Sequence, residues 1–280
     1  MKLEKLLIVR RQSSFDYAYK SGELNKLTPA ECAALMHSHK TQYAALNALM
    51  RLLSERAISY AIADEEKPAE EATGFDLIIA LGGDRTVLRA AARANKTPLL
   101  SINADSDRSR GGLCNYDYRD LEKILPALLK GNFKLERWTR LEAVLDSKLI
   151  GRALNEIYVG KARVYSGVAR YMLCIDNFEE EQRSSGLIIA PGAGSTAWYH
   201  SAGGQPFGRT ERCFGFVVSE PQQAETLEGK FYERGKLRIR SKMYDGVVAL
   251  DGGTVVQSFK RGSVLEVSLS DKPLKVVIFD

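Results

Sequence analysis

Residues 75–92 read FDLIIALGGDRTVLRAAA, and this stretch decides the fold. Its first half is apolar except for Asp76, which predicts a buried strand over 75–81. Gly82 and Gly83 then predict a tight turn, and the apolar residues after them recur at helical spacing. A strand, a glycine turn and a helix bring backbone N–H groups and the positive end of the helix dipole to one point, which suits a phosphate.

Asp84 stands directly after the glycine turn. A carboxylate at that point repels a phosphate unless a metal ion intervenes or the Asp has a chemical task. Orienting and deprotonating an attacking hydroxyl is such a task. The alternative is that Asp84 only caps the helix. The motif by itself does not decide between the two, because short glycine motifs are frequent.

The chain around this stretch alternates between predicted strands and helices. Further strands are predicted at 3–9, 58–62 and 97–102, and further helices at 28–56 and 121–130. Such alternation predicts an open parallel sheet, with the ligand crevice at the carboxyl ends of its strands. Asp84 and Asn103 are expected at that edge, under a loop formed by residues 104–118.

Three polar segments of the first half lead to separate predictions. Thr28-Pro29-Ala30-Glu31 is a capping box with proline at the first helical position, so it predicts where the long helix begins. Residues 10–26 have the composition of a loop. The acidic segment 64–71 is predicted to be an exposed linker.

The pattern changes near residue 132. Short alternating runs follow and predict a mostly antiparallel β domain. These runs are 141–145, 149–159, 171–175, 186–190, 214–218, 236–240, 247–250, 264–269 and 274–279. We therefore expect an α/β domain at 1–132 and a β domain at 133–280.

Composition limits the class of protein. The chain has 280 residues, of which 45% are hydrophobic, so it can bury a substantial core. Lys and Arg total 40 against 35 for Asp and Glu, a mild basic balance that suits an anionic small molecule. Without a dominant basic block, nucleic-acid binding is not expected, and no membrane association is expected because no apolar run reaches the length of a membrane span. The four cysteines are far apart, which is typical of reduced thiols in a cytoplasmic protein.

Two further motifs lie in the second half. Asn155 and Glu156 place an amide beside a carboxylate where a strand is expected to end, and such a pair can bind ribose hydroxyls or a base edge. A solvated strand end is the alternative. In residues 191–204, a Gly-rich turn leads into Ser195-Thr196-Ala197-Trp198. These four residues are predicted to start a helix that ends at Gly203-Gly204. Trp198 either stacks on a purine or packs in the core. A serine hydrolase is not indicated, since GxSxG is absent here.

Together these motifs resemble the NAD kinase family. They are GGDRT (82–86), NE (155–156), QRSSGLII (182–189), GSTAWYHSAGG (194–204) and ALDG (249–252), in the family's order and spacing. The variants SSGL and GSTAW are most similar to the mitochondrial type of NAD kinase and its bacterial relatives. The resemblance covers residues 76–270 and is specific because several motifs are linked.

The resemblance implies transfer of the γ-phosphoryl group of ATP to the 2′-hydroxyl of the adenosine ribose of NAD. It also implies that the last segment of the β domain returns to the first domain, and it implies at least a homodimer. Mg²⁺ is expected to be held largely by nucleotide phosphates and water, so no protein metal site is predicted. The choice between ATP and polyphosphate, and between NAD and NADH, stays open.

Site residues follow from the resemblance position by position. Asp84 is implied as the base that orients the 2′-hydroxyl. The other residues implied in binding are Gly82, Gly83, Arg85, Thr86 and Arg89 for phosphates, Asn155 and Glu156 for the ribose and base, Ser195, Thr196, Ala197, Trp198 and Ser201 on the adenine side, and Arg183 and Ser185 at the second nucleotide.

Arg85 departs from the family, which has glycine there. If the position takes ordinary helical angles, the Arg85 guanidinium can lie against the phosphates and neutralise charge that develops during transfer. We favour this over a strained backbone, and we expect Arg85→Gly to retain more activity than Arg85→Ala. The alternatives to an active kinase are an NAD(P)-binding sensor and a kinase for another hydroxyl substrate.

Overall fold

The computed structural model describes residues 3–67, 69–163, 167–175, 178–222 and 235–279. Pro68, in the predicted acidic linker, lies outside these ranges. The chain divides into two compact units, Met1–Glu136 with Lys275–Asp280, and Arg137–Leu274. Within the described ranges, no helix combines the length and the apolar character needed to cross a membrane.

The elements follow in chain order. The helices are α1 (Ser14–Lys20), α2 (Pro29–Ser54), α3 (Asp84–Arg93), α4 (Leu121–Leu129) and α5 (Trp198–Ser201). The strands are β1 (Lys5–Arg10), β2 (Ser59–Asp64), β3 (Leu77–Gly82), β4 (Leu99–Asn103), β5 (Tyr116–Asp117), β6 (Lys134–Trp138), β7 (Leu141–Leu145), β8 (Lys148–Ala153), β9 (Ile157–Lys161), β10 (Ala169–Ile175), β11 (Phe178–Ser184), β12 (Gly186–Pro191), β13 (Phe214–Ser219), β14 (Lys236–Ser241), β15 (Gly246–Leu250), β16 (Val255–Ser258), β17 (Val264–Leu269) and β18 (Leu274–Ile278).

The first unit is built on a sheet of order β2-β1-β3-β4-β18-β6, with β5 beside β4. The pairs β1–β2, β1–β3, β3–β4 and β4–β18 are all parallel. Strand β3 is buried at every residue, because parallel strands covered on both faces are apolar throughout. The carboxyl ends of β1, β3 and β4 therefore lie at one edge, which confirms the predicted parallel α/β sheet.

Helix α2 covers the first unit's sheet. Its capping box is present: Thr28 accepts the Glu31 N–H, and Glu31 accepts the Thr28 N–H at 2.7 Å. Leu46, Leu49 and Leu53 recur at helical spacing and are buried with β1 and β3 residues in one core. The helix thus begins at the predicted residue because its cap is local, and it stays in place because its apolar stripe is buried.

The second unit consists of two sheets whose paired strands are antiparallel. Their orders are β11-β10-β14-β17-β7-β8 and β13-β12-β9-β15-β16. Residues alternate between buried and exposed or half-buried along β7, β14 and β15, as expected when one face of a sheet meets a core. The inward side chains form one apolar cluster that includes Leu141, Leu173, Ile189 and Phe216. The predicted mostly antiparallel β domain is confirmed.

In residues 10–26 and 149–159 the secondary structure differs from the expected one. Residues 10–26, predicted as a loop, contain the helix α1, whose N-cap Ser13 accepts the Asp16 N–H. Residues 149–159, predicted as one strand, are parts of β8 and β9, and residues 154–156 turn between them. Both errors concern segments whose conformation depends on contacts with distant residues.

Candidate active site

The glycine turn connects β3 to α3 as predicted. Gly83 is the N-cap residue, with φ −106° and ψ −164°, and α3 begins at Asp84. A Cβ atom on Gly82 would lie 2.1 Å from Thr86 Oγ1, so only glycine allows the Thr86 side chain to fold back over the turn. The turn is therefore fixed by steric fit and not by positive φ at either glycine.

Asp84 does not cap the helix, since Gly83 holds that position. Its Oδ1 accepts the Leu113 N–H at 2.7 Å and its Oδ2 accepts the Gly112 N–H at 3.0 Å. Each carboxylate oxygen has a second lone pair that can still accept a hydrogen bond. The carboxylate is thus held in one orientation without losing its capacity to accept a proton.

The predicted loop 104–118 supplies those two N–H groups. Gly111 has φ +61°, a conformation that favours glycine, and a Cβ there would lie 2.5 Å from Asn103 Nδ2. The Asn103 side chain in turn donates to the Ser109 carbonyl at 2.8 Å. Asn103, at the end of β4, thus shapes the loop that orients Asp84.

The acidic segment 64–71 is not an exposed linker throughout. Glu65 is only 3% exposed, and its carboxylate accepts a hydrogen bond from Thr86 Oγ1. Burial raises the pKa of the Glu65 carboxyl above its ordinary value. The next residue, Glu66, forms an ion pair with Arg85 at 2.9 Å. The expectation was wrong for Glu65 because a run of acidic residues gives no sign of a hydroxyl partner 21 positions away.

Arg85 lies in the first turn of α3 and so has helical backbone angles, as we favoured from the sequence. It is not one of the non-glycine residues with positive φ among those the structure describes. Restoring glycine therefore relieves no strain. The expectation that Arg85→Gly retains more activity than Arg85→Ala loses its physical basis.

A cavity of about 1030 Å³ opens beside the turn in the first unit. Gly83, Asp84, Arg85 and Thr86 line it together with residues of α1 and of the connection between β1 and α1. Three cationic side chains and three carboxyls face it: those of Arg11, Lys20, Arg85, Glu65, Glu66 and Asp84. A polar cavity of this size beside a helix N-terminus suits a large anionic ligand. Arg89 lies one turn further along α3 and is half-buried; its contact with a phosphate stays a prediction.

In the second unit, Asn155 and Glu156 are held by Asp251. The Asp251 carboxylate accepts the N–H groups of Leu154 at 3.0 Å, Asn155 at 2.7 Å and Glu156 at 3.3 Å. Glu156 Oε1 accepts the Gly252 N–H at 2.7 Å in return, and the Asn155 amide donates to the other Glu156 oxygen. Glu156 is buried, so the alternative of a solvated strand end is wrong for it.

The carboxyl groups of Asp251 and Glu156 both have raised pKa values. Burial, together with the nearby Glu156 carboxylate, raises the pKa of Asp251 to about 7. Burial also raises the pKa of Glu156. Asp251 has φ +47°, and Gly252 and Gly253 follow with φ +60° and +84°, so the backbone is strained at the Asp to direct its carboxylate at the turn 154–156.

The Gly-rich loop packs against the same turn. A Cβ on Gly194 would lie 1.6 Å from the Asn155 carbonyl oxygen, so glycine is required for the two motifs to meet. Ser195 is fully buried; its hydroxyl lies 2.8 Å from the Gly192 carbonyl and accepts the Phe207 N–H at 3.0 Å. The Ser195 side chain therefore holds the loop together.

The residues predicted for the adenine side are mostly accessible. Thr196 and Ser201 are exposed, and Ala197 is half-buried. The helix is shorter than expected, since α5 is only Trp198–Ser201. Trp198 is 46% exposed and its ring stacks on Tyr158, with centroids 5.1 Å apart and planes 21° apart. Trp198 is thus a surface ring available to a ligand and not a core residue.

Tyr158 also connects this ring to the residues predicted for the second nucleotide. Its hydroxyl donates to the Ser185 carbonyl at 2.9 Å. The Ser185 hydroxyl donates to Glu220, and Arg183 is exposed with its Nε 3.9 Å from Glu181. In the second unit, Trp198, Tyr158 and Ser185 therefore form one continuous chain of contacts.

Sequence reasoning missed Glu65, Glu66, Tyr158 and Asp251 as site residues. The only signal for Asp251 was its place in ALDG, an Asp before a Gly pair. The two glutamates and Tyr158 carried no local signal, because their roles come from partners distant in sequence.

Comparison with known proteins gives consistent findings. Residues 6–133 match the family model described as ATP-NAD kinase N-terminal domain. The NAD kinase of Caldicellulosiruptor bescii is 28% identical over 238 residues, covering 83% of this chain and 87% of that protein. Two solved structures share the fold. An NAD kinase from Archaeoglobus fulgidus in complex with ATP has TM-score 0.69 and 22% identity, covering 99% of this chain and 93% of that one. Yeast NADH kinase complexed with NADH has TM-score 0.76 and 17% identity, and the match covers 100% of this chain and 84% of the yeast chain.

Proposed function

The chain belongs to the NAD kinase family, and from this premise we propose that it transfers the γ-phosphoryl group of ATP to the 2′-hydroxyl of the adenosine ribose of NAD. The position and orientation of the Asp84 carboxylate support this reaction most strongly. Asp84 stands at a strand-to-helix turn on a cavity wall with three cationic side chains, and two backbone N–H groups fix its orientation. That is the arrangement required to activate a hydroxyl beside a triphosphate.

In the proposed mechanism, Asp84 accepts a hydrogen bond from the 2′-hydroxyl and aligns its oxygen with the γ-phosphorus. A bond forms between that oxygen and phosphorus while the bond from phosphorus to the β-phosphate oxygen breaks, and ADP leaves. The hydroxyl proton passes to the Asp84 carboxylate and then to solvent. Arg85 and Lys20 balance negative charge on the phosphates.

Mg²⁺ is part of the proposal. Among the described residues, no group of three or more His, Cys, Asp or Glu is placed to hold a metal ion. We propose that Mg²⁺ would be carried mainly by the nucleotide phosphates and water, the usual arrangement for this ion, and that the Asp84 carboxylate on the cavity wall would be available to it. When bound, the ion neutralises charge on the β- and γ-phosphates.

For the acceptor, we propose that Asn155 and Glu156 bind ribose hydroxyls. Thr196, Ala197, Trp198 and Ser201 would line the adenine, with the exposed Trp198 face stacking on the ring. Arg183 and Ser185 are assigned to the second nucleotide of NAD. This assignment is supported by the contacts that join Trp198 to Ser185 through Tyr158.

We propose at least a homodimer in the cytoplasm. The four cysteines are all unpaired thiols, which is consistent with a reducing compartment. Light scattering of the purified protein that gives a mass near 31.1 kDa would contradict the dimer.

Asn155→Ala is expected to weaken NAD affinity by about 1 to 3 kcal/mol. The Glu156 carboxylate loses the amide that donates to it, and the ribose of NAD loses a hydrogen-bond partner. Calorimetry measures the change. Asn95→Ala is a matched control, since that amide also donates to a glutamate, Glu71, at 2.7 Å, but in the first unit. Unchanged affinity in Asn155→Ala would remove this residue from the binding site.

Arg85→Ala is expected to raise the Michaelis constant for ATP and lower turnover. Arg85→Gly is expected to match it in both parameters, because the backbone there is helical, and to lose about 1 kcal/mol of stability relative to alanine. Steady-state kinetics measures the Michaelis constant and turnover, and denaturant unfolding measures the stability. A glycine variant faster than the parent protein would mean that Arg85 obstructs the site.

The function itself is tested by incubating the protein with ATP, MgCl₂ and NAD and detecting NADP with an NADP-specific dehydrogenase. Production of NADP at many turnovers supports the kinase. Tight NAD binding without turnover would favour the sensor. Turnover with another alcohol, but not with NAD, would favour a different kinase.

A further inference from the structure

Arg85 forms an ion pair with Glu66 on the wall of the cavity. Its Nη2 lies 2.9 Å and 3.0 Å from the two carboxylate oxygens of Glu66. Both side chains are well exposed, at 60% and 46%, and both line the cavity that Asp84 faces. The guanidinium assigned to the donor phosphates is therefore already engaged by a carboxylate of the same chain.

Glu66 is itself held in place. Arg93 donates to the carbonyl of Lys67 at 2.8 Å and to that of Asp64 at 3.4 Å, so the backbone on both sides of Glu66 is anchored to α3. The neighbouring Glu65 is buried and binds Thr86. Two consecutive glutamates thus bind two consecutive residues of α3, the first in a buried contact and the second in an exposed one.

The two possible partners of Arg85 differ in strength. An exposed ion pair between single charges contributes little net free energy, since water competes for both groups. A guanidinium that donates two hydrogen bonds to phosphate oxygens makes a stronger, charge-assisted contact. A phosphate entering the cavity can therefore displace Glu66 from Arg85.

We propose that Glu66 competes with the donor nucleotide for Arg85: its carboxylate occupies Arg85 in the free protein and gives it up to a nucleotide to the extent that the phosphates of that nucleotide bind Arg85. This inference rests on the proposed function. Each donor must replace the Glu66 contact before it gains Arg85. A nucleoside triphosphate offers more phosphate oxygens and charge for this exchange than a diphosphate, so it takes Arg85 from Glu66 more completely.

The test is a double-mutant cycle on binding, which does not require catalysis. Calorimetry measures the affinity of Mg²⁺ with a non-hydrolysable ATP analogue, and of ADP, for the parent, Glu66→Gln, Arg85→Ala and the double variant. Glu66→Gln is expected to lower the dissociation constant of the analogue about two- to five-fold at low salt, the usual strength of an exposed ion pair. The gain for the analogue is expected to be larger than for ADP, because removal of a competitor for Arg85 helps a ligand in proportion to its own contact with Arg85.

In the Arg85→Ala background, the same Glu66→Gln change is expected to alter the dissociation constant less than about 1.5-fold. Glu122→Gln is the matched control, since Glu122 also forms an exposed ion pair, with Arg51 at 3.1 Å. That variant should bind both nucleotides as the parent does.

Three results would overturn the inference. An equal gain from Glu66→Gln with and without Arg85 would mean that Glu66 acts by simple repulsion of the nucleotide. Weaker binding in Glu66→Gln would make Glu66 a support of the site. No binding of the analogue to the parent would contradict both the inference and the ATP-dependent function. If the double-mutant cycle gave the expected binding results but the protein made no NADP, only the proposed reaction would be contradicted.

Discussion

Asp84→Asn is expected to lower the turnover of NAD phosphorylation by a factor of about 10² to 10⁴, the contribution of a positioned general base. The amide retains one oxygen, so it can still accept the Leu113 or the Gly112 N–H. It cannot take the proton of the 2′-hydroxyl. NAD binding, measured by calorimetry, is expected to stay within about two-fold of the parent, since the change affects the transition state more than the ground state.

Asp76→Asn provides a close control. Asp76 stands just before β3, at the other end of the strand, and its carboxylate also accepts two backbone N–H groups, from Glu4 at 2.8 Å and Lys5 at 2.9 Å. Its substitution should lower stability as much as Asp84→Asn does while leaving turnover unchanged. If Asp84→Asn phosphorylated NAD at the parent rate, or if both variants lost activity equally, Asp84 would not be the base.

The second large effect is expected at Asp251. Asp251→Ala removes the acceptor of three backbone N–H groups, at Leu154, Asn155 and Glu156. Each buried donor left without a partner costs about 1 to 3 kcal/mol. We expect the free energy of unfolding to fall by several times the effect of a surface substitution, and NAD binding to become undetectable, because the turn that carries Asn155 loses its support.

Asp251→Asn separates charge from support, since it keeps one acceptor oxygen. The pKa of Asp251 is raised in the folded protein, from about 3.8 to about 7, so the folded state holds the proton more tightly than the unfolded state. Its contribution to stability is complete below about pH 4 and is lost as the pH rises to about 7. The stability of the parent relative to Asp251→Asn should therefore decrease across this window in urea unfolding.

Asp146→Asn controls for the unusual backbone at Asp251. Asp146 also has φ +47° and its carboxylate accepts one N–H, from Val264 at 2.7 Å. Its substitution should leave NAD affinity unchanged and should not reproduce the pH dependence of Asp251→Asn. A relative stability of the Asp251 variant that does not vary between pH 4 and pH 8 would show that Asp251 does not retain a proton in the folded protein.

The strand-to-helix turn could be predicted because all of its determinants are local. The apolar run 77–81, the glycine pair and the helical spacing after Asp84 lie within one short segment. The same is true of the capping box that starts α2. Where the hydrophobic period and the turn residues agree, the sequence specifies the element.

Helix α1 could not be predicted, because its support is not local. It has only seven residues, and both Tyr17 and Tyr19 are exposed, so no apolar stripe marks it. Its cap Ser13 and its Asp16 bind side chains of α2, namely His39 at 2.8 Å and Tyr43 at 3.1 Å. The wall of the cavity that α1 forms was therefore absent from the prediction.

The same reason explains the missed site residues. Asp251 binds residues about 96 positions away, and Glu65 binds a residue 21 positions away. Neither contact leaves a periodic pattern in the sequence. Strands β6, β11 and β16 were also not predicted as separate strands, and most of their residues are exposed or half-buried, which removes the apolar alternation used to recognise strands.

The most direct measurement follows the phosphoryl group itself. Parent protein and Asp84→Asn are incubated with ATP labelled at the γ-phosphate, MgCl₂ and NAD, and the labelled dinucleotide is isolated and offered to an NADP-specific dehydrogenase. We expect the parent to move the label onto NAD in a product that this dehydrogenase reduces, and Asp84→Asn to do so at least about 100-fold more slowly. Label that stays on ATP with the parent protein, or that appears on NAD equally fast with the variant, would contradict the account.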